Sequence, residues 1–200
     1  MTKTIDYYFA PQSPWSYLGH ERLETIAQNT GAKIRVYAVD LGRVFPLSGG
    51  LPLAKRAPQR QAYRLTELKR YSKFLQMPMT IQPKYFPVGG DDAAKLIIAV
   101  DMHDGSAAAM RVAGALLKAC WAEERNIASE ITFAEILQAL QLPAARLEQS
   151  HAQAVQERYD HDTQRAIDLG VFGAPSYCVD GEMFWGQDRL DFVERKLASM

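Results

Sequence analysis

The sequence predicts an α/β domain interrupted by a large all-helical insertion. Three observations carry that reading: a strand–helix–strand unit opens the chain, a hairpin and a helix close it, and the stretch between is helical. Ile5-Asp6-Tyr7-Tyr8-Phe9 is a short aromatic and β-branched run broken at Pro11, the mark of a strand. Ser13-Pro14 then starts a helix. A serine hydroxyl accepts from a free backbone N–H at the cap, and proline suits the first helical position because its missing N–H is not needed there. Gly19, Leu23, Ile26 and Ala27 recur at helical spacing, and Gly31 ends the helix as a left-handed cap. Ile34-Arg35-Val36-Tyr37-Ala38-Val39 is a second strand, which a helical crossover places parallel to the first.

Residues 43–58 read as a basic loop, with Pro46, Gly49, Gly50, Pro52 and Pro58 among Arg43, Lys55 and Arg56, and Arg60 just beyond. A polar helix is expected over 59–75. Residues 78–92 hold three prolines, two glycines and the adjacent aromatics Tyr85 and Phe86, a composition suited to the wall of a binding site. Ser106 is placed to cap a helix whose Met110, Ala113, Leu117, Cys120 and Trp121 share a face. Thr132-Phe133-Ala134-Glu135 fits a capping box. A long helix over about 150–169 stops at Gly170. Asp180-Gly181, between Ser176-Tyr177-Cys178-Val179 and Glu182-Met183-Phe184-Trp185, is a strong hairpin signal, and a last helix covers 188–197. With the helical block lifted out, the ends join as βαβ-α-ββα, the thioredoxin topology. The expected division is 1–45 with 156–200 as a thioredoxin-like domain and 46–155 as the helical insertion.

Composition removes several function classes. Lys+Arg and Asp+Glu both number 23, so no net field draws nucleic acid or anionic lipid. No apolar run approaches the ~20 residues of a membrane span, and Asp6 stands where a signal peptide would be apolar. Cys120 and Cys178 are too far apart for a disulfide framework or zinc-finger spacing, so a reduced, cytoplasmic setting is expected. The four histidines, His20, His103, His151 and His161, have no metal-ligand spacing and read as surface or helix residues. Cys120 and Cys178 read as packing residues.

In this topology the start of the first helix offers free N–H donors and the positive end of a helix dipole, which favour an anion, including a thiolate. Redox proteins of the fold carry Cys-x-x-Cys there. This chain carries Ser13-Pro14-Trp15-Ser16, and serine has no accessible two-electron couple, so thiol–disulfide exchange is excluded at this position. Any thiolate must come from outside the chain, and glutathione is the abundant candidate.

Ser13-Pro14-Trp15-Ser16-Tyr17-Leu18, Val171-Phe172-Gly173-Ala174-Pro175-Ser176 and Trp185-Gly186-Gln187-Asp188-Arg189-Leu190, in that order, resemble the 2-hydroxychromene-2-carboxylate isomerases and their relatives the kappa-class glutathione transferases. The resemblance implies a glutathione-dependent isomerase of aromatic breakdown intermediates, acting on a small aromatic carboxylate and working as a homodimer. It implies that Ser13 hydrogen-bonds the glutathione sulfur and keeps it ionised. It further implies that Ala174 pairs its backbone with the cysteinyl part, that Pro175 is cis, and that Trp185, Gly186, Gln187 and Asp188 hold the γ-glutamyl end. On the substrate side it points to Phe45, Lys55 and Tyr85, with Arg43 close by. Lys55 or Arg43 would neutralise the carboxylate, and Trp15, Tyr85 and Phe86 would face the ring. Ala54-Lys55 departs from the family's Asn-Arg pair. Taken alone, Ser13 and Asp188 read as helix caps, Trp185 as a core aromatic, and Lys55, Arg56 and Arg60 as a solvated face. A transferase forming lasting conjugates, or a non-catalytic thioredoxin-fold binding protein, would also accommodate the pattern.

Overall fold

The computed structural model describes residues 3–200. Strand β1 (Thr4–Phe9), helix α1 (Pro14–Thr30) and strand β2 (Lys33–Ala38) form the opening unit, with β1 and β2 parallel. Ser13 caps α1, Pro14 is its first residue, and Gly31 closes it at φ +68°, a left-handed conformation that glycine adopts without strain. Strands β3 (Ser176–Val179) and β4 (Glu182–Trp185) form the closing hairpin, with Asp180 and Gly181 at φ +50° and +78° as its two-residue turn. The sheet order is β2-β1-β3-β4, with β3 antiparallel to β1 in the register Asp6↔Cys178, Tyr7↔Tyr177, Tyr8↔Ser176.

The alternation of β1 divides its aromatics between two faces. Tyr7 and Phe9 stack at 4.4 Å, with Tyr177 beside Tyr7 at 5.6 Å, in the main core. Tyr8 stacks on Tyr37 at 4.8 Å on the opposite face, with Val39, Ala166 and Val171. The main core continues into the helical region, where α4 (Asp91–Asp104) and α5 (Ser106–Trp121) bury Leu96, Ile97, Leu116 and Trp121. Helix α8 (Gln153–Asp168) covers the second face and presents Arg165 to the Tyr37 ring and to Asp6. Among the described residues no helix is long and apolar enough to cross a membrane.

Four local expectations are corrected. The stretch read as a loop from 43 contains helix α2 (Leu41–Ser48) and a 3₁₀ turn (Leu53–Lys55). The Asp40 carboxylate caps α2 by accepting from Gly42 N at 2.7 Å, and buried Val44 anchors it. Pro46 forfeits one helical hydrogen bond, which a helix this short survives near its end. Helix α3 (Pro58–Phe74) follows, as the polar pattern predicts. Ser106 is not a cap but the first residue of α5, and its hydroxyl donates to Asp101. The capping box at 132–135 does not form, because α6 (Glu130–Ala139) begins two residues earlier. Thr132 is therefore buried inside the helix, and Glu135 pairs with Arg125 at 2.7 Å. The short α7 (Ala145–Gln149) leads into α8. The final helix α9 (Leu190–Ala198) is preceded by a 3₁₀ turn (Gln187–Arg189), so Asp188 lies in the turn and caps nothing.

Candidate active site

At the head of α1, Ser13 N donates to Ala10 O at 2.9 Å, and Ser13 Oγ accepts from Ser16 N at 3.2 Å. The hydroxyl therefore uses one lone pair as a cap and keeps its own proton uncommitted. Trp15 N–H, the other orphan donor of the first turn, meets no acceptor among the described residues. Ser16 is wholly buried and turned away from solvent. An uncommitted O–H, a free N–H and the positive end of a 17-residue helix thus lie together at the head of α1.

The second element is the 171–176 loop. Its Ala174–Pro175 bond is cis. Continuing the β1/β3 register brings Ala174 and Pro175 opposite Ala10 and Phe9, immediately before α1. Pro175 O accepts from Gly186 N at 2.9 Å, while the N–H and C=O of Ala174 make no hydrogen bond among the described residues. That is a length of backbone ready to pair with an extended peptide. A Cβ on Gly173 would fall 2.5 Å from Trp185 Nε1, so glycine lets the indole lie across this loop.

The third element is the turn after β4. Trp185 is not a core aromatic: it stands 51% exposed at the end of the edge strand, against Phe172 at 4.7 Å. A cleft of about 370 Å³ lined by Phe172, Met183, Phe184, Trp185, Arg189 and Phe192 opens beside it and does not include Ser13. Gln187 is buried, and both its carbonyl and its Oε1 accept from Arg22, at 3.1 and 2.8 Å. Its side-chain oxygen therefore braces the turn against α1. The backbone N–H groups of Gln187 and Asp188 are unbonded among the described residues, and the Asp188 carboxylate is exposed beside Arg189 at 2.8 Å.

Each predicted substrate residue has neighbours of its own. Arg43 is paired with Asp160 at 2.8 Å. Phe45 lies under the Arg56 guanidinium, 5.9 Å from the ring centroid. Lys55 is exposed at the end of the 3₁₀ turn, and Tyr85 is partly exposed with Lys84 over its ring at 5.1 Å. Phe86 turns inward onto Trp121 at 4.8 Å. Trp15 meets Tyr71 of α3 edge-on at 6.0 Å.

Sequence reasoning missed Tyr71, Arg64 and Gln12. Gln12 Oε1 is buried without a donor, and a Cβ on Gly90 would collide with it. Nothing local in the sequence signals these contacts, because each partner arrives from a distant segment. His20, read as a surface or helix residue, is a buried residue of α1. It is 2% exposed, its Nε2 lies 2.9 Å from Met110 O, and burial pushes its pKa down to about 4. Burial pushes the Cys120 thiol up to about 12 and raises that of Cys178, so neither is a ready thiolate near neutral pH. Among the described residues no group of three or more His, Cys, Asp or Glu is placed to hold a metal.

Residues 4–198 match the family model of the DSBA-like thioredoxin domain. A 2-hydroxychromene-2-carboxylate isomerase from Pseudomonas putida is 30% identical over 200 residues, covering 98% of this chain and 95% of the relative. The chain belongs to the 2-hydroxychromene-2-carboxylate isomerase family. Its relatives include the Caenorhabditis elegans glutathione S-transferase kappa 1, 31% identical over 94% of this chain and 88% of that one. A solved 2-hydroxychromene-2-carboxylate isomerase structure superposes with a TM-score of 0.83 at 29% identity, covering 98% of this chain and 95% of the other. The fold is also that of a cytosolic disulfide reductase from Pseudomonas aeruginosa, 18% identical with a TM-score of 0.71; this chain has serine at positions 13 and 16, at the head of α1.

Proposed function

We propose that this chain is a glutathione-dependent isomerase of 2-hydroxychromene-2-carboxylate-type substrates, small aromatic carboxylates, and that it acts as a homodimer. The observation that carries the reading is the state of Ser13: its hydroxyl caps α1 as an acceptor while its proton remains available, beside an unbonded Trp15 N–H. The donor set suits a thiol-bearing peptide. The free backbone edge of Ala174 pairs with its extended chain, and the unbonded N–H groups at 187–188 receive its α-carboxylate. The Asp188 carboxylate accepts from its α-ammonium. When bound, glutathione supplies a thiolate nucleophile that adds reversibly to a conjugated carbon and so frees a double bond to rotate.

The protein's own part is electrostatic. Ser13 O–H and the head of α1 hold negative charge on sulfur and lower its pKa from ~8.5 towards neutrality. Ser13 itself is not the nucleophile, because among the described residues no general base hydrogen-bonds its hydroxyl. The raised thiol pKa values of Cys120 and Cys178 favour a sulfur from outside the chain. The kappa-class relative supports a second reading, a transferase using the same sulfur to make a lasting conjugate. Assaying a 2-hydroxychromene-2-carboxylate with catalytic glutathione separates the two. An isomerase turns over many equivalents with the thiol regenerated, and a transferase consumes one thiol per product.

Asp188→Ala is expected to weaken glutathione binding about tenfold, the worth of a charge-assisted hydrogen bond at an exposed site. The fold should be unaffected, since the side chain is exposed and caps no helix. Calorimetric titration checks it, and equal affinity in the variant would remove Asp188 from the site.

A further inference from the structure

Most ion-paired arginines of this chain are easily accounted for: Arg35 and Arg165 meet Asp6, Arg43 meets Asp160, Arg146 meets Asp104 and Arg158 meets Asp162. Arg56, Arg60 and Arg64 differ. Among the described residues none of the three has a carboxylate within ion-pair distance. Among them Arg64 makes no hydrogen bond either. Its guanidinium lies over the rings of Phe86 at 5.2 Å and Trp121 at 5.7 Å, a platform that holds it through cation–π contact and leaves the edge donors unspent. Trp121 is fully buried, and its Nε1–H also lacks an acceptor. Burial, with Arg56 nearby, lowers the Arg64 pKa to about 10.

The position is tied to the candidate active site. Tyr71, which meets Trp15, lies two turns further along the same face of α3, about 10 Å away at 1.5 Å per residue. Phe86 belongs to the 75–90 segment, which is pinned to the head of α1 at both ends. Tyr17 OH donates to Pro78 O at 2.6 Å, and Gln12 packs on Gly90.

We propose that Arg64 is the carboxylate-binding residue for the aromatic substrate, with Arg56 and Arg60 adding to the local positive field; the substrate class rests on the function proposed above. The guanidinium fork matches a carboxylate through two parallel N–H···O bonds, which a lysine ammonium cannot reproduce. Arg43, ion-paired with Asp160, and Lys55, exposed at the end of its 3₁₀ turn, are poorer candidates.

The test is calorimetric titration of the full-length protein, without glutathione, with chromone-2-carboxylate and with its uncharged carboxamide. Arg64→Met keeps the stem on the aromatic platform, and Arg64→Lys keeps the charge. The wild type should bind the acid at least tenfold more tightly than the amide. Arg64→Met should abolish that preference by weakening the acid alone, and Arg64→Lys should fall between the two. Three results would overturn the proposal: unchanged acid affinity in Arg64→Met, equal loss of acid and amide, or no preference for the acid in the wild type. A parallel glutathione titration of Arg64→Met should match the wild type. A loss there with acid binding intact would give Arg64 to the tripeptide's glycyl carboxylate and overturn the proposal. Because the acid is titrated alone, failure of glutathione to bind the wild type would remove the proposed cofactor and leave the Arg64 result readable.

Discussion

Ser13→Ala is expected to reduce turnover by about 10²–10³-fold, the effect of removing one hydrogen-bond donor aimed at a developing or resident anion. The same change removes a helix cap, which costs about 0.5–2 kcal/mol of stability. The two roles are separated by Ser13→Asp. Aspartate caps a helix as well as serine does, so stability should be kept, but its charge faces the position assigned to the thiolate and activity should fall at least as far as in the alanine variant. Activity surviving in Ser13→Asp would leave Ser13 as a cap and nothing more. Steady-state kinetics beside urea denaturation of both variants makes the comparison.

The second large effect is on stability and belongs to His20. The imidazole is buried between Tyr7, Phe9 and α5, with Nε2 directed at Met110 O and Nδ1 3.4 Å from Tyr7 OH. It fits so closely that a Cβ on Gly114 would come within 3.0 Å of its ring. Burial holds its folded pKa at about 4, against 6.5 for an exposed histidine. Between those values the unfolded chain takes up a proton that the folded chain refuses. Stability is therefore full above pH 6.5 and is lost as the pH falls towards 4, by about 3 kcal/mol in all. His20→Gln keeps an N–H for Met110 O and has nothing to titrate, so its stability should fall less over that interval. Urea midpoints of the two proteins at pH 7.5 and pH 4.5 measure the difference. Parallel losses would show that His20 contributes nothing to acid sensitivity.

The elements legible in the sequence are those fixed by near neighbours. Ser13-Pro14 and Gly31 bound α1, Asp180-Gly181 turns the hairpin, and the 17-residue crossover helix makes β2 parallel to β1. Helix α2 was hidden because Pro46 and the following glycines speak locally for a loop, whereas its support comes from the Asp40 cap and the burial of Val44. In isolation Asp188 and Trp185 look like a cap and a core residue. The 3₁₀ turn and the edge position of β4 expose both. Gln187 shows the converse, a polar residue buried because Arg22 of α1 reaches across to it. Arg64 and His20 gave no signal at all. A cation in a polar helix and a histidine beside Glu21 and Arg22 look solvated until Phe86, Trp121 and Met110 close over them.

The sulfur chemistry stands or falls on one titration: ultraviolet absorbance of the thiolate in the wild-type protein saturated with glutathione, followed against pH. A serine O–H and a helix head acting on bound sulfur predict a midpoint at least about one unit below the ~8.5 of a free thiol. A midpoint at or above the free value, with the tripeptide demonstrably bound, would contradict the account.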